Sequence, residues 1–263
     1  MNKNSVLRLI LILIVIGCFG YLIWYKVNQT VTRSKAKELS VMADEPVKAK
    51  SAGDILKSET VKYQVKTEDL VLEKYKNLYL KNKNLIGWIK IDDTIIDYPV
   101  MKSINGNGNF YLDHDYDGKE DRNGTLFMDD LCDPQGPSDN LIIYGHNMKS
   151  GQMFGDLDNY KSESFYKSHK TVKFDTIFRE GVYEVAFVFQ SKVYSEADIT
   201  FKYYQFIEPN SAEEFDSGIR AMKEMSLYDT GVDAQYGDQL ITLSTCDYDE
   251  ANGRFVVVCK KVK

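Results

Sequence analysis

The stretch LITLSTC at residues 240–246, the segment DYDEANG at residues 247–253 and Arg254 together decide the fold. The first run is rich in β-branched residues, which predicts a strand, and the polar segment after it predicts a turn. Arg254 opens a second apolar run, so an antiparallel pair would bring Cys246 and Arg254 together at one end of a sheet. A guanidinium beside a thiol stabilises a thiolate or a developing oxyanion. A buried structural cysteine beside a surface arginine would give the same pattern, and the cysteine alone favours this plainer interpretation.

A histidine after another apolar strand changes that balance. The segment Tyr144-Gly-His-Asn147 comes directly after the run NLII at residues 140–143. Gly145 allows a sharp turn there, so the imidazole of His146 can project from the strand end. Of the three histidines, only His146 lies where a scaffold would present it. A cysteine and a sequence-distant histidine are the minimum for thiol nucleophilic catalysis.

Short runs rich in β-branched and aromatic residues, divided by turn residues, predict about eight strands along the chain. These runs do not alternate regularly with helices, which favours a mainly β fold with a closed barrel over a doubly wound sheet. The predicted strands are Ile86–Ile91, Ile95–Met101, Thr125–Met128, Leu141–Tyr144, Thr171–Phe174, Tyr183–Gln190, Gln239–Ser244 and Phe255–Cys259.

Two helices are predicted beside these strands. One begins at Thr67 and continues through Leu72, Tyr75 and Tyr79, which recur at helical spacing. The other covers residues 211–225, with Ser211 as its cap and Glu214 in the capping-box position.

The N-terminal region predicts a membrane anchor. Residues 9–25 are uncharged and almost entirely apolar, which with their neighbours is long enough for a transmembrane helix. A cleaved signal peptide is the alternative, but its apolar region would be shorter and no cleavage site follows closely. Basic residues flank the span on both sides, so the positive-inside rule does not decide its orientation. We therefore predict an anchor over residues 1–32, a stalk rich in Lys, Glu, Ala and Ser over 33–66, and a catalytic β-barrel over 67–263.

Charge and metal-ligand spacing exclude several classes of partner. Residues 1–50 hold eight Lys or Arg and three Asp or Glu, yet the whole chain has a net charge of −6, so the remainder is strongly acidic. Such a domain would repel nucleic acid. His114 and His169 have no nearby Cys or His at ligand spacing, and the acidic segment 113–118 lacks the final glutamate of a calcium loop. We predict no metal site and no cofactor.

The four cysteines do not form a disulfide scaffold. Cys18 lies in the apolar run, and Cys132, Cys246 and Cys259 cannot all pair with one another, so at least one thiol is free. A disulfide between Cys132 and Cys259 is conceivable, whereas Cys259 in an apolar run favours packing as a small hydrophobic residue.

The motifs together resemble one enzyme family. The segment Thr242-Leu-Ser-Thr-Cys246 with Arg254 resembles the TLxTC…R signature of sortases, and Tyr144-Gly-His-Asn147 is similar to the histidine motif of their class B branch. The similarity runs in order over roughly residues 67–262. It includes the segments Gly87–Ile91, Asp97–Met101, Phe110–Leu112, Gly124–Asp129 and Met153-Phe154.

This resemblance implies an eight-stranded sortase-type β-barrel with N-terminal helices and a helix before the penultimate strand. It implies that Cys246 is the nucleophile, His146 the general acid and base, and Arg254 the substrate-binding and oxyanion-stabilising group. By the same resemblance, the substrate-binding candidates are Ser244 and Met101, which match positions near the peptide groove, Asp97, which stands where the family can have Asn, and Asp247.

The implied activity is transpeptidation at the cell surface. A class B sortase works outside a Gram-positive cell on an N-terminal anchor, which implies a single-pass cell-membrane protein with an extracellular catalytic domain. It cleaves the C-terminal sorting signal of a secreted protein through a thioester and transfers the acyl group to the amine of a peptidoglycan precursor or cross-bridge. A related version would polymerise pilin subunits.

Other functions remain open from the residues alone. A cysteine hydrolase would use the same pair and release its product to water, and a non-catalytic surface β-barrel would hold all three residues incidentally. An L,D-transpeptidase expects His and Gly immediately before the cysteine, where this chain has Ser244 and Thr245.

Overall fold

The computed structural model describes residues 3–44, 67–103, 106–136, 138–249 and 251–263. Most of the predicted stalk, residues 45–66, therefore lies outside the described residues. The chain divides into two compact units, Met1–Glu38 and Leu39–Lys263.

The first unit belongs to a single long helix. Helix α1 covers Lys3–Asp44 and therefore continues past residue 32, where the predicted anchor ends. The large apolar side chains from Ile10 to Trp24 are exposed along this helix. By length and composition, α1 is apolar enough to cross a membrane.

The second unit is built on a closed β-barrel. Its strands among the described residues are β1 (Leu85–Lys90), β2 (Asp97–Met101), β3 (Leu126–Met128), β4 (Asn140–Tyr144), β5 (Thr171–Thr176), β6 (Val182–Lys192), β7 (Leu240–Asp247) and β8 (Gly253–Lys261). They pair in the order β1-β2-β3-β4-β7-β8-β6-β5, and β5 closes the barrel by pairing with β1. Each predicted strand overlaps one of these eight, so the mainly β barrel is confirmed.

Helices cover parts of the barrel. They are α2 (Thr67–Leu70), α3 (Glu73–Lys81), α4 (Glu163–Ser168) and α5 (Ala212–Met225). The helix predicted from Thr67 is broken in two, because the backbone N–H of Leu72 donates to the carbonyl oxygen of Ile177, 2.7 Å away. Helix α5 begins as predicted, since the hydroxyl of Ser211 accepts from the backbone N–H of Glu214 at 3.2 Å.

The last residues of helix α1, from Leu39 onward, belong to the second unit. Leu39 and Ala43 are each 7% exposed and belong to a core cluster with Leu78, Trp88 and other residues of the barrel. The burial of apolar side chains is the main source of stability here. The last residues of α1 are thus part of the core of this unit.

Two strand pairs determine where the chemistry lies. Strand β4 runs parallel to β7, with Tyr144 beside Ser244 at its end. Strand β8 runs antiparallel to β7, with Arg254 directly opposite Cys246. Strand β7 therefore lies between the histidine segment and the arginine.

Candidate active site

Cys246 and Arg254 are direct cross-strand partners beside the turn that joins β7 to β8. Residues opposite each other in an antiparallel pair have Cβ atoms about 5 Å apart on the same face of the sheet. The guanidinium of Arg254 donates to the carbonyl oxygens of Gly253 at 2.9 Å and Asn252 at 3.4 Å. Among the described residues no carboxylate pairs with it. Its positive charge therefore remains available to an anion beside Cys246.

His146 lies level with Cys246 because the β4–β7 pairing extends beyond the strands. The backbone N–H of Gly145 donates to the carbonyl oxygen of Ser244 at 3.1 Å, and the Thr245 hydroxyl donates to the carbonyl oxygen of Gly145 at 2.8 Å. Nε2 of His146 lies 2.7 Å from the carbonyl oxygen of Leu112. Since a carbonyl oxygen can only accept, Nε2 carries a proton and Nδ1 is the nitrogen that can take up another.

Gly145 is required for space, not for a left-handed turn. Its φ is not positive, in contrast to several glycines elsewhere in the described chain. A Cβ atom at Gly145 would overlap the side chains of Leu126 and Phe154. A positive φ is therefore not the reason for this glycine, and the close approach of two side chains is the observed one.

A single pocket of about 300 Å³ contains all three candidate catalytic residues. Its size is at the lower end of the range for small-ligand sites. It is lined by Asn109, Leu112, Phe127, Asp129, Tyr144, Gly145, His146, Val193, Tyr203, Tyr204, Ser244, Thr245, Cys246 and Arg254.

Ser244 lies in this pocket as predicted, two residues before the cysteine. Its hydroxyl is hydrogen-bonded to the hydroxyl of Tyr203 at 2.8 Å, and both residues are buried. Burial raises the pKa of Tyr203 to about 12, so its hydroxyl stays protonated at neutral pH. Tyr203 was missed because it lies in a loop between β6 and α5, where no strand pattern or motif marks it.

Asp129 is a second residue that sequence reasoning did not single out, although it ends one of the matching motifs. Its carboxylate accepts from the hydroxyl of Tyr144 at 3.0 Å and from the backbone N–H of Leu131 at 2.9 Å. Burial, together with the charge of Asp129, raises the pKa of Tyr144. The pocket thus contains a carboxylate as well as the guanidinium.

Met101 and Asp97 lie outside the pocket. Met101 is fully buried beside Phe127 of β3 and belongs to the core beneath the pocket wall. Asp97 is at the other end of β2, roughly 13 Å along the strand at about 3.3 Å per residue. Its carboxylate accepts from Trp88 Nε1 at 2.7 Å, Lys90 Nζ at 3.0 Å and the hydroxyl of Ser40 at 3.1 Å. These contacts do not place it near His146, and its predicted substrate contact gains no support.

Asp247 also lies outside the pocket, because successive side chains of a strand point to opposite faces. It is 6% exposed, and its carboxylate accepts from Gln190 Nε2 at 2.5 Å and Lys161 Nζ at 3.2 Å. Burial opposes ionisation, but these hydrogen bonds and that of the Asp249 amide outweigh it and lower the pKa of Asp247. Asp247 therefore braces the strand behind Cys246, and direct contact with substrate stays a prediction.

The other cysteines do not take part in this site. All four thiols are free, so the conceivable disulfide between Cys132 and Cys259 is not formed. Burial raises the pKa of Cys132 to about 12 and also raises that of Cys259. Both therefore remain protonated and inert at neutral pH. Within the described ranges, no group of three or more His, Cys, Asp or Glu residues is arranged to hold a metal ion.

A closed barrel that gathers a thiol, an imidazole and a guanidinium in one pocket defines a cysteine-dependent enzyme. The Sortase domain family matches residues 89–262 of this chain. Sortase B of Listeria monocytogenes is 31% identical over 264 residues, which cover 100% of this chain and 99% of that protein. The chain belongs to the sortase family, and it is a cysteine transpeptidase of the class B type.

Solved structures agree with this assignment. A crystal structure of sortase B from B. anthracis matches with a TM-score of 0.69 at 33% identity, covering 91% of this chain and 98% of that chain. A Staphylococcus aureus sortase B-substrate complex matches with a TM-score of 0.66 at 28% identity, covering 73% of this chain and 86% of that chain.

Proposed function

We propose that this transpeptidase cleaves the C-terminal sorting motif of secreted proteins and transfers the acyl group to a cell-wall amine. The amine would belong to a peptidoglycan precursor or cross-bridge. One observation carries the proposal: Cys246, His146 and Arg254, which come from three chain segments, line one pocket. The Staphylococcus aureus relative was solved as a substrate complex, which supports a sorting peptide as the ligand class.

The first half of the reaction forms the acyl-enzyme. Nδ1 of His146 takes the proton of Cys246, and the resulting thiolate attacks the carbonyl carbon of the scissile peptide bond. The oxyanion that develops lies on the Cys246 side of Arg254, whose guanidinium stabilises it. The intermediate collapses to a thioester, and His146 returns its proton to the departing amine.

The second half resolves the thioester. The incoming amine attacks the same carbonyl carbon, His146 accepts its excess proton, and Cys246 leaves as the thiolate before it is reprotonated. Water would give hydrolysis by the same route, so transfer dominates only when the amine is held closer to the thioester than water is.

Ser244 is the substrate-binding candidate that the pocket supports best. It lies on the same face of β7 as Cys246, two residues away, and therefore faces the same groove. We propose that Ser244 and Tyr203 contact the sorting peptide beside the scissile bond. Met101, Asp97 and Asp247 act from outside the pocket, through packing and hydrogen bonding.

We also propose that α1 anchors the enzyme in the cell membrane of a Gram-positive cell, with the barrel outside. The exposed apolar side chains from Ile10 to Trp24 support the anchor. The class B relationship supports the orientation. Residues 1–32 would form the anchor, 33–66 the stalk and 67–263 the catalytic domain, while Leu39 and Ala43 of the stalk segment are buried in the core of the second unit. Protease treatment of intact cells should digest the barrel and spare the apolar part of α1 from Ile10 to Trp24.

Activity of the full chain in detergent tests the reaction. Quenched peptides based on NPxTx and PPxTG motifs are incubated with and without oligoglycine or diaminopimelate-containing amines. We expect amine-dependent transfer, a thioester that hydroxylamine releases, and loss of cleavage in Cys246→Ala and His146→Ala. Cys18→Ala, at an exposed cysteine of α1, is the matched control and should retain activity. Full activity of Cys246→Ala would refute the proposal, and turnover independent of amine would assign a hydrolase.

A further inference from the structure

We propose that Asn147 is a positioning residue, whose side-chain amide holds the His146 segment at its working distance from Cys246, with Asp158 as its anchor. The inference rests on the catalytic roles proposed above for Cys246 and His146. It concerns a residue that neither lines the pocket nor touches the reacting atoms.

Asn147 connects the two catalytic segments directly. Its Nδ2 donates one hydrogen to the backbone carbonyl oxygen of Cys246 at 2.9 Å and the other to Oδ2 of Asp158, also at 2.9 Å. Its own backbone carbonyl oxygen accepts from the hydroxyl of Tyr248 at 3.0 Å. The residue is 8% exposed, so these bonds are largely shielded from water. Asn147, the residue after His146, is therefore bonded directly to Cys246.

This link matters because the sheet ends before the histidine. Strand β4 ends at Tyr144, and its contact with β7 continues through two bonds of Gly145, whose backbone N–H donates to Ser244 and whose carbonyl oxygen accepts from the Thr245 hydroxyl. The carbonyl oxygen of His146 accepts from the backbone N–H of Phe154. This bond lies within the loop after β4 and does not connect His146 to β7. Beyond Gly145, the bond from the Asn147 amide to Cys246 is the next link to β7, and it acts together with the contact of His146 Nε2 with Leu112 to set the distance between imidazole and thiol.

The orientation of the amide is determined by its partners. Both partners of Nδ2 are acceptors, so a rotation by 180° would set the Asn147 carbonyl oxygen against two other oxygens. Asp158 comes from the 3₁₀ helix Gly155–Lys161, and its Oδ2 lies 3.8 Å from Lys161 Nζ. Lys161 also binds Asp247, the residue after the nucleophile, at 3.2 Å. A charge-assisted bond to a carboxylate held in this way is stronger than a neutral one.

A positioning role predicts that a change at Asn147 lowers the rate of the chemical step and leaves substrate binding nearly unchanged. A misplacement of about 1 Å between reacting groups can cost about 100-fold in rate. Asn147→Asp is nearly isosteric but removes both donors and sets a carboxylate against Asp158. We expect kcat to fall about 100-fold with KM changed less than about threefold, because the groove itself is untouched. Asp158→Asn keeps an acceptor oxygen and should lose far less.

A second readout needs no sorting peptide. The rate of iodoacetamide alkylation of Cys246, measured against pH by mass spectrometry of its peptide, reports how the thiol is paired with the imidazole. His146→Gln should change this pH profile, and Asn147→Asp should change it in the same direction. Asn159→Asp is the matched control, because it adds the same charge at an exposed neighbour of Asp158 and should leave both readouts unchanged.

The outcomes separate the two proposals. If His146→Gln changes the alkylation profile and Asn147→Asp does not, the positioning role is refuted while the catalytic pair stands. If His146→Gln itself changes nothing, the catalytic pair is refuted. A loss in Asn147→Asp that appears only as a lower melting temperature, with kcat retained below that temperature, would also refute positioning.

Discussion

Replacement of Leu39 by alanine should destabilise the barrel, although Leu39 lies in helix α1, whose N-terminal part is apolar enough to cross a membrane. The side chain is 7% exposed and packs in a cluster that includes Leu78 and Trp88. A buried Leu→Ala change costs about 2–5 kcal/mol, and a residue at the edge of the core belongs near the lower limit. We expect a loss of about 2 kcal/mol in the free energy of unfolding.

Thermal unfolding of the full chain in detergent measures this loss, with near-ultraviolet circular dichroism as the probe. For a unit of this size, 1 kcal/mol corresponds to about 2–4 °C, so the melting temperature should fall by about 4–8 °C. Val41→Ala is the matched control on the same helix, because Val41 is 52% exposed and should shift the melting temperature by less than about 2 °C.

Equal shifts for Leu39→Ala and Val41→Ala, or no shift for either, would show that residues 39–44 do not pack with the barrel. The hydrogen bond from Ser40 to Asp97 gives an independent check. Ser40→Ala removes this bond and should lower the free energy of unfolding by about 1 kcal/mol. A chain shortened to begin at residue 67, the predicted start of the catalytic domain, should then melt lower than one that begins at residue 33.

Three further predictions concern the site. Gly145→Ala should lower the free energy of unfolding by about 1–3 kcal/mol, because the added methyl group overpacks against Leu126 and Phe154. The same sample should also cleave peptide more slowly, and a normal cleavage rate would contradict the crowding. Because the pKa of Asp247 is lowered on folding, its stabilising contribution is present at neutral pH. This contribution is lost as the pH falls below about 4, which is the ordinary pKa of an aspartate side chain. When the free energy of unfolding in urea is measured from pH 7 to pH 3, Asp247→Asn should therefore lose less stability in acid than the unchanged protein. Iodoacetamide at pH 8 should modify Cys246 but spare the buried Cys132 and Cys259 until urea is added.

The strands and the pairing of Cys246 with Arg254 could be predicted from sequence because their signals are local. Each predicted strand was a short β-branched or aromatic run between turn residues, and all eight overlap strands of the structure. Cys246 and Arg254 are separated by a single turn, so their pairing follows from one hairpin. The position of His146 needed more, because a parallel pair between β4 and β7 joins residues about one hundred positions apart.

The other substrate-binding candidates have partners that the sequence did not reveal, and their contact with substrate stays a prediction. Asp97 and Met101 share a strand with the site, but one binds Trp88 and Ser40 and the other packs in the core. Asp247 follows the nucleophile directly, yet the alternation of the strand turns it to Gln190 and Lys161. Proximity in sequence does not decide which face a side chain occupies unless the register is known.

The sequence by itself determined the anchor-like apolar helix, the eight strands and the three reactive residue types at strand ends, since composition and periodicity act over a few residues. Only the tertiary structure decided that Leu39 and Ala43 join the core of the second unit, that Tyr203 and Asp129 line the pocket, and that Asn147 bonds to Cys246. These contacts join residues that are far apart along the chain. These contacts are stabilised by burial and hydrogen bonding between different helices and strands, and a local sequence pattern does not encode which elements meet.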